Sequence, residues 1–330
     1  MKKLQDQPLV SFIIATYNRP NDLRESIQSI LDQDYRPIEI VVVSSSTDDS
    51  LKLFSEGGPL DRDCIQYHHF SERMGVPKAR NIGYQHAKGE FLVTIDDDAT
   101  LPDSSATDEI VCILNERDKI GVLAFQSRNY WTGELIRMEI PNPIEFGTPP
   151  SKEYATTHFI GVGNAIRRSS LKSAGMYPEH FGYGFEEMDL SLRIFDAGYD
   201  ILYTPSVVVH HKKTSKGRRP TLEVRERQIE NRIKLTVRNL PWRYVFFSTV
   251  VWSCYWLLWN RMAISALFRI YRRLFEQRHH LLAERDVIQP ETIARFKSNS
   301  DMLYFWCYGP HPRRLVSKLR DGYYFQIAPR

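Results

Sequence analysis

The apolar residues of the first hundred positions follow two patterns. Three short, continuous apolar runs, Val10–Thr16, Ile38–Val43 and Phe91–Ile95, are typical of strands buried on both faces of a parallel sheet. Over residues 21–31 the apolar residues recur at three- and four-residue spacing, which predicts a helix with Asn21 as its N-cap. A strand, a helix and a second strand in this order predict a right-handed crossover in an α/β fold.

Strands and helices continue to alternate as far as residue 209. The other predicted strands are 64–67, 120–125 and 202–209, and the other predicted helices are 77–88, 105–118 and 186–197. Residues 131–150 contain four prolines and are predicted to be irregular. Further on, 222–238 is predicted to be a charged helix, and 244–260 is a run of 17 residues without a charged side chain.

Three consecutive carboxylates follow the strand Phe91–Ile95. Ligands of open α/β sheets bind at the carboxyl ends of the strands, and adjacent negative charges repel unless a cation or hydrogen-bond donors offset them. Because side chains alternate along a strand, Asp96 and Asp98 can converge on one ion while Asp97 turns away. Oxygen ligands suit Mg²⁺ or Mn²⁺. A divalent metal site is therefore the functional interpretation, and a solvated acidic turn is the alternative.

The helix 77–88 begins with polar donors. Lys78, Arg80 and Asn81 lie in its first turn, and Gly89 follows its end. A helix N-terminus with such side chains attracts a phosphate or the edge of a base. An exposed basic helix start is the alternative interpretation.

Composition bounds the compartment more than the fold. Hydrophobic residues make up 42% of the 330 positions and charged residues 25%, as in an ordinary globular protein. Four cysteines, at positions 64, 112, 254 and 307, are too scattered for a disulfide framework or a zinc site, so a reducing compartment is expected. Residues 1–9 lack the apolar core of a signal peptide, and we therefore expect a cytoplasmic protein.

Charge is distributed unevenly between the two parts of the chain. Residues 201–330 hold 24 Lys and Arg against 9 Asp and Glu, whereas residues 1–200 hold 20 against 31. A basic C-terminal part indicates an anionic partner, and both nucleic acid and membrane headgroups qualify by charge.

The uncharged run 244–260 has two interpretations. One is a helix packed on the preceding domain, and the other is a helix lying in the headgroup layer of a membrane. In the second interpretation aromatic residues would lie at the interface and arginines on lipid phosphates, and these residues are Trp242, Trp252, Tyr255, Trp256 and Trp259 with Arg261, Arg269, Arg272 and Arg273.

Several segments between Val10 and Thr100 resemble the nucleotide-binding half of a family 2, GT-A fold glycosyltransferase. They are Thr16–Pro20, Ala79–Gly83, Ala87–Glu90 and Asp96–Asp98. The resemblance implies a Rossmann-like, mostly parallel central sheet flanked by helices, with a C-terminal helical extension. It also implies a nucleotide-diphosphate sugar donor, a divalent metal cofactor, Mn²⁺ or Mg²⁺, held by an Asp-x-Asp element, and inversion at the anomeric carbon.

The same resemblance implies which residues meet the donor. Tyr17 would lie against the base, Arg80 and Asn81 near the nucleotide, and Asp96 and Asp98 at the diphosphate and the metal. In the segment 161–165, glycines permit a close approach of the backbone to a ligand. The expected nucleotide-sugar site comprises Thr16, Tyr17, Asn18, Arg19, Ser44, Arg80, Asn81, Asp96, Asp97, Gly163 and Asn164.

One segment departs from the family pattern. Members usually have an Asp directly after the second strand, where it accepts a hydrogen bond from the uracil imide, but this chain has Ser44–Thr47. A serine still accepts such a bond, although more weakly than a carboxylate. A UDP-sugar or a dTDP-sugar is therefore the expected donor, and another base remains an alternative.

A second acidic segment, Glu186–Arg193, matches the acidic motif of the family. By that resemblance Glu187 is the catalytic base, with Glu186 and Asp189 as lesser candidates. A base is needed because a sugar hydroxyl is a poor nucleophile until its proton is removed. Without the resemblance, acids at a helix start and an Asp189–Arg193 surface pair are commonplace.

Two histidines follow the strand 202–209. In the family a histidine six residues past the proline of this strand completes the metal site, which selects His211 and leaves His210 as the second candidate. The implied metal ligands are thus Asp96, Asp98 and His211, and an imidazole ligand favours Mn²⁺ somewhat over Mg²⁺. A solvated histidine pair is the alternative.

These features together predict a catalytic domain over residues 1–215 and a basic, aromatic-rich, mainly helical region over 216–330. The expected reaction transfers a sugar to a hydroxyl of a glycan or lipid-linked glycan in cell-envelope polysaccharide synthesis, with the inner membrane face as a candidate partner surface. The alternatives are a nucleotide-binding protein without turnover and a nucleic-acid-binding protein that uses the basic region, although we expect no nucleic-acid partner.

Overall fold

The computed structural model describes residues 7–141, 149–213, 221–259 and 264–299. Contacts between Cα atoms divide the chain into two compact units, Met1–Thr221 and Leu222–Arg330. The boundary expected between residues 215 and 216 lies within 214–220, outside the described residues. Each unit has its own hydrophobic core.

The described part of the first unit is organised around one nine-stranded sheet. Its order is β3-β2-β1-β4-β8-β6-β9-β5, and β7 also pairs with β9. Six strands run in one direction, while β5, β7 and β8 run opposite to them, so the expected mostly parallel sheet is confirmed. The strands are β1 Val10–Thr16, β2 Ile38–Ser44, β3 Ile65–His69, β4 Phe91–Ile95, β5 Ala99–Thr100, β6 Ile120–Asn129, β7 Tyr154–Thr156, β8 Gly163–Arg167 and β9 Asp200–His211.

Helices pack on this sheet, and each buries one face. In the first of them Leu23, Ile27 and Ile30 are fully buried, as their helical spacing predicted. The helices are α1 Pro20–Leu31, α2 Val76–His86, α3 Ala106–Glu116, α4 Arg168–Ala174 and α5 Glu186–Asp196.

The N-cap expected at Asn21 is wrong. Helix α1 begins at Pro20, and Arg19 is its N-cap residue. Proline suits the first helical position because its φ angle is already helical and the N–H it lacks would have no partner within the helix. Arg19 therefore stays outside the helix, at the edge of the sheet where β1 ends.

Strand β8 was missed, because Gly161–Ala165 was interpreted as a segment that approaches a ligand. Gly163 instead pairs with Ile95 of β4. A Cβ atom at Gly163 would lie 2.9 Å from Val209 Cγ1 and 3.0 Å from Phe125 Cδ2. The close approach at Gly163 is thus to core side chains, and glycine, which weakens strand propensity, concealed the strand in the sequence.

The second unit is helical in its described residues. Its core joins three helices through Ile229 and Ile233 of α6, Trp252 and Trp256 of α7, and Ala266 and Ile270 of α8. Among the helices that the structure describes, none is both long and apolar enough to cross a membrane. The helices are α6 Thr221–Asn239, α7 Trp242–Trp259, α8 Ile264–Glu276, α9 Arg278–Ala283 and α10 Pro290–Asn299.

The expectation that Trp252 and Trp256 lie at a membrane interface is wrong. Trp252 and Trp256 are buried in the core of the second unit, with 2% and 1% of their surface exposed. Trp242 is exposed. Arg261 and the side chain of Trp259 lie outside the described residues.

Candidate active site

The carboxyl ends of three parallel strands bring the predicted site residues to one edge of the sheet. Strand β1 ends at Thr16, β2 ends at Ser44 and β4 ends at Ile95, and the three strands are adjacent in the sheet. The loop after β1 therefore lies beside the three aspartates that follow β4. Hydrogen bonds join them directly, as described next.

Asp97 is turned away from its two neighbours. Thr16 Oγ1 donates to Asp97 Oδ2 at 2.8 Å, and Arg19 Nη1 lies 2.7 Å from Asp97 Oδ1. Burial raises the pKa of Asp97 to about 6, although the charge of Arg19 opposes this rise. Asp97 thus connects the loop after β1 to the segment Asp96–Asp98. Arg19 Nη1 also lies 3.2 Å from Asp98 Oδ2.

Asp96, Asp98 and His211 form a group that could hold a metal ion. One ligand atom of each residue lies within 4.8 Å of the others, and His211 Nε2 lies 3.2 Å from Asp98 Oδ1. Two carboxylates and one imidazole suit Mn²⁺ and also accept Mg²⁺. The residues therefore fit the divalent ion that the sequence implies.

His211 is brought to this group by the end of β9. The last pair of the β5–β9 ladder joins Ala99 to His211, and it positions the imidazole next to the aspartates. His210 precedes it and pairs with Thr100. Because side chains alternate along a strand, the two histidines point to opposite faces, and His210 is not a member of the metal-binding group.

Glu139 holds the other nitrogen of His211 and was missed by the sequence. Its Oε2 lies 2.9 Å from His211 Nδ1 and accepts a hydrogen bond from Ser127 Oγ, while its Oε1 lies 3.1 Å from Lys213 Nζ. A carboxylate on Nδ1 leaves Nε2 directed at the metal group. Glu139 belongs to a short 3₁₀ turn, Arg137–Glu139, within the stretch predicted to be irregular. In the sequence, its acidic character is the only signal that could have identified it.

Without a metal, His211 is held in its protonated form. Burial lowers its pKa, but hydrogen bonds with Asp98 and Glu139 outweigh this effect and raise the pKa to about 10. A divalent ion must therefore displace a proton from His211 when it binds.

Arg80 links the aspartates to the acidic segment of α5. Its side chain is 4% exposed, and its guanidinium lies 2.9 Å from Asp96 Oδ1 and 2.8 Å from Glu187 Oε1. It also donates to the carbonyl of Gly161. Arg80 thus forms ion pairs with both Asp96, a member of the group that could hold a metal ion, and Glu187.

Gly161 makes room for that ion pair. A Cβ atom at this position would lie 2.2 Å from Glu187 Oε1 and 2.6 Å from Arg80 Nη1. Atoms this close must move apart, so any side chain at position 161 would disturb both partners. The close approach expected for this glycine is therefore to Arg80 and Glu187.

The three acids of α5 have different environments. Asp189 is fully buried and lies 2.8 Å from Arg193 Nη2, so the pair expected on the surface is internal. Glu186 is 2% exposed, and burial, reinforced by the charge of Glu187, raises its pKa to about 8. Glu187 is 16% exposed, and within the described residues its Oε2 accepts no hydrogen bond. Of the three acids, Glu187 is the one that has a charged partner, Arg80, and also a carboxylate oxygen that accepts no hydrogen bond from the described residues.

Two further members of the expected nucleotide site support the fold. Asn81 bonds the backbone of Tyr177 with both ends of its amide, donating to the carbonyl and accepting from the N–H. Asn164 is fully buried in β8, and its amide donates to the carbonyl of Ile160. These contacts leave Asn81 and Asn164 beneath the surface of the site.

The loop after β1 is braced against the loop after β2. Asn18 has a left-handed backbone with φ of 56°, and its side chain bonds the side chain and backbone of Thr47. Ser44 is fully buried, and its hydroxyl accepts from the N–H of Ser46. Of the expected base-binding residues, Tyr17 is partly exposed, with the guanidinium of Arg73 4.1 Å from its ring centroid.

The sequence is similar to known glycosyltransferases. The family model of glycosyl transferase family 2 matches residues 11–175, half of the chain. An uncharacterized protein of Haemophilus influenzae is 27% identical over 53% of this chain and 95% of its own length. An uncharacterized glycosyltransferase of Rickettsia typhi is 33% identical over 66% of each protein. A GalNAc(5)-diNAcBac-PP-undecaprenol β-1,3-glucosyltransferase of Campylobacter jejuni is 34% identical over 28% of this chain and 31% of its own.

Solved structures show the same fold. GalNAc-T7 in complex with UDP, GalNAc and Mn²⁺ is 18% identical and has a TM-score of 0.60 over 76% of this chain and 52% of its own. The mannosyltransferase PcManGT of Pyrobaculum calidifontis, in complex with GDP-Man and Mn²⁺, is 20% identical, with a TM-score of 0.53 over 98% of this chain and 88% of its own. The matching family model, the glycosyltransferase relatives and this fold together establish that the chain belongs to glycosyltransferase family 2, with a GT-A fold.

Proposed function

We propose that this glycosyltransferase inverts the anomeric centre as it moves a sugar from a UDP- or dTDP-sugar to a hydroxyl of a glycan or lipid-linked glycan. The observation that carries the proposal is the buried Arg80, which holds Asp96 and Glu187 at 2.9 and 2.8 Å. Asp96, which would face the donor diphosphate, and Glu187, the candidate base, are held by the same guanidinium, and this supports a direct displacement.

Asp96, Asp98 and His211 would hold the divalent ion, Mn²⁺ or Mg²⁺. When bound, such an ion stabilises the negative charge that develops on a leaving diphosphate. Glu139 fixes the His211 imidazole, and Arg19 adds a positive charge 3.2 Å from Asp98 Oδ2. The presence of Mn²⁺ in GalNAc-T7 and PcManGT supports this assignment.

Glu187 would act as the general base. Its Oε1 is held by Arg80, and its Oε2 accepts no hydrogen bond within the described part of the chain, so Oε2 is available to the proton of an incoming hydroxyl. Glu186 is a poor alternative because burial favours its protonated form. Asp189 is fully buried and paired with Arg193, which removes it from contact with an acceptor.

The remaining assignments concern the ligands and the two parts of the chain. Tyr17 would stack against the donor base, and UDP in GalNAc-T7 supports a nucleoside diphosphate at this position. The undecaprenol-linked substrate named for the Campylobacter jejuni relative supports a lipid-linked acceptor in cell-envelope polysaccharide synthesis. We assign catalysis to residues 1–215 and membrane contact to the basic residues 216–330, on the cytoplasmic face.

A thermal-shift panel tests donor and metal together. UDP, dTDP and GDP, each with and without MnCl₂, would be added to the wild-type chain, to Asp98→Asn and to His211→Ala. We expect one nucleotide to raise the melting temperature only with Mn²⁺, and both variants to lose that shift because each lacks a metal ligand. Asp118→Asn, an exposed carboxylate away from the site, is the control and should respond as wild type. An equal shift in EDTA would refute metal-dependent donor binding.

A further inference from the structure

Helix α7 has two apolar faces, and in the described part of the chain one of them is buried against other helices while the other is exposed. Tyr244, Ser248, Trp252 and Trp256 recur every four residues and are at most 2% exposed. Trp242, Phe246 and Val250 are also four residues apart, but they are exposed, at 58%, 65% and 46%. Leu258, about two turns beyond Val250 along the helix, is 80% exposed.

Helix α8 repeats the arrangement. Ala266 and Ile270 are buried in the core that α8 shares with α7, whereas Ile264, Phe268 and Phe275 are 64% to 70% exposed. Scattered exposed apolar residues are ordinary, but rows of large side chains at helical spacing mark an interaction surface. We call these seven exposed residues of α7 and α8, Trp242, Phe246, Val250, Leu258, Ile264, Phe268 and Phe275, the apolar rows.

Arginines accompany the apolar rows, and acids are nearly absent. Residues 242–276 contain five arginines and a single acid, Glu276. Arg243 and Arg272 are exposed on α7 and α8, whereas Arg269, which is also exposed, is paired with Glu226 of α6 at 2.5 Å. The pair between Arg272 and Glu276 is itself exposed, at 68% and 56%, and exposed pairs contribute little, so Arg272 can exchange its partner for another anion.

We infer that the apolar rows insert into the headgroup layer of an anionic lipid bilayer, with the neighbouring arginines on lipid phosphates. The amphipathic helix α8, with large apolar side chains flanked by arginines, has the composition that such a surface binds, and α7 adds an exposed apolar face. Charge complementarity favours lipid over a second copy of the chain, because two copies would bring two positively charged surfaces together. The inference deepens the proposed function by supplying the phase in which a lipid-linked acceptor would be met.

Co-flotation with vesicles tests the inference. The full chain would be mixed with vesicles of phosphatidylglycerol and phosphatidylcholine, or of phosphatidylcholine alone, at low and physiological ionic strength. We expect the wild type to float with the anionic vesicles and less so as salt is raised, because salt screens the arginines. The double variant Phe246→Glu/Phe268→Glu should bind at least about tenfold more weakly, because it places two carboxylates on the apolar rows.

Matched variants make each outcome decisive. Leu51→Glu/Trp131→Glu adds the same charge at exposed apolar residues of the first unit and should float as wild type. Phe246→Ser/Phe268→Ser repeats the test if the glutamate variant has a lowered melting temperature. Hydrolysis of the nucleotide sugar should stay unchanged in the serine and the glutamate variants, and this result separates membrane binding from the proposed reaction. Flotation of the Phe246 and Phe268 variants equal to wild type would overturn the inference. The inference would also be overturned if the wild type were a dimer that did not bind vesicles and that these substitutions dissociated. The apolar rows would then be a subunit interface.

Discussion

Replacing Glu139 with alanine should weaken the binding of Mn²⁺ to the metal-free protein. Glu139 Oε2 lies 2.9 Å from His211 Nδ1, so the alanine variant loses the acceptor that fixes this imidazole. Loss of such a partner lowers metal affinity by about 10- to 100-fold. This range corresponds to about 1.4 to 2.7 kcal/mol of binding free energy. Because the 3₁₀ turn of Glu139 contributes no residue to the apolar core, the fold should persist.

Isothermal titration with MnCl₂ measures this effect directly. Glu139→Gln should fall between wild type and alanine, since its carbonyl oxygen still accepts from Nδ1 but has no charge. Glu134→Ala removes an exposed acid from the same segment and is the matched control. Mn²⁺ affinity of Glu139→Ala within twofold of Glu134→Ala, with both variants folded, would refute the positioning of His211 by Glu139.

The proton on His211 makes the same titration pH-dependent. With the pKa of His211 raised to about 10 in the metal-free protein, each bound ion releases a proton. Mn²⁺ affinity should therefore rise by about tenfold per pH unit near neutrality. His211→Ala should flatten this slope as well as lower the affinity, whereas an unchanged slope would assign the released proton to another group.

Two further predictions concern Arg80 and its neighbours. Gly161→Ala should lower turnover by about tenfold or more, while Mn²⁺ affinity falls less, because the new Cβ would lie 2.2 Å from Glu187 Oε1 and displace it. Initial rates would measure the first effect, and Mn²⁺ titrations the second. The pKa of Glu186 is raised from 4.5 to about 8 on folding, so the protonated form stabilises the fold fully below pH 4.5, and this contribution is lost as the pH rises through 8. The melting temperature of wild type should thus fall over this range relative to Glu186→Gln, whose side chain stays neutral, and parallel curves for the two would contradict the shift.

The sequence predicted the strands that position the site because their apolar runs are long and uninterrupted. Strands β1, β2 and β4 lie close to their predicted bounds, and the alternation after β4 correctly separated Asp97 from Asp96 and Asp98. These features depend on local periodicity, which a single sequence contains.

Features that depend on contacts between distant residues could not be predicted in this way. Glu139 lies 72 residues from His211 in an irregular stretch, and Arg80 lies 107 residues from Glu187. Ser44 is expected from the sequence to contact the base, but it lies at the end of β2, which has strands on both sides, and is completely buried. Which of its faces α7 buries was likewise undecided, because that helix is apolar all round and only packing against α6 and α8 distinguishes the faces.

Turnover of the nucleotide sugar by Glu187→Gln is the most direct test of the proposed mechanism. Glutamine keeps the size of the side chain and can still bond Arg80, but it cannot accept a proton. If Glu187 is the base, the rate should fall by about 10²-fold or more while donor affinity in Mn²⁺ stays nearly unchanged. Wild-type turnover in this variant would contradict the assignment of the base, and loss of donor binding would show that Glu187 serves the donor site instead.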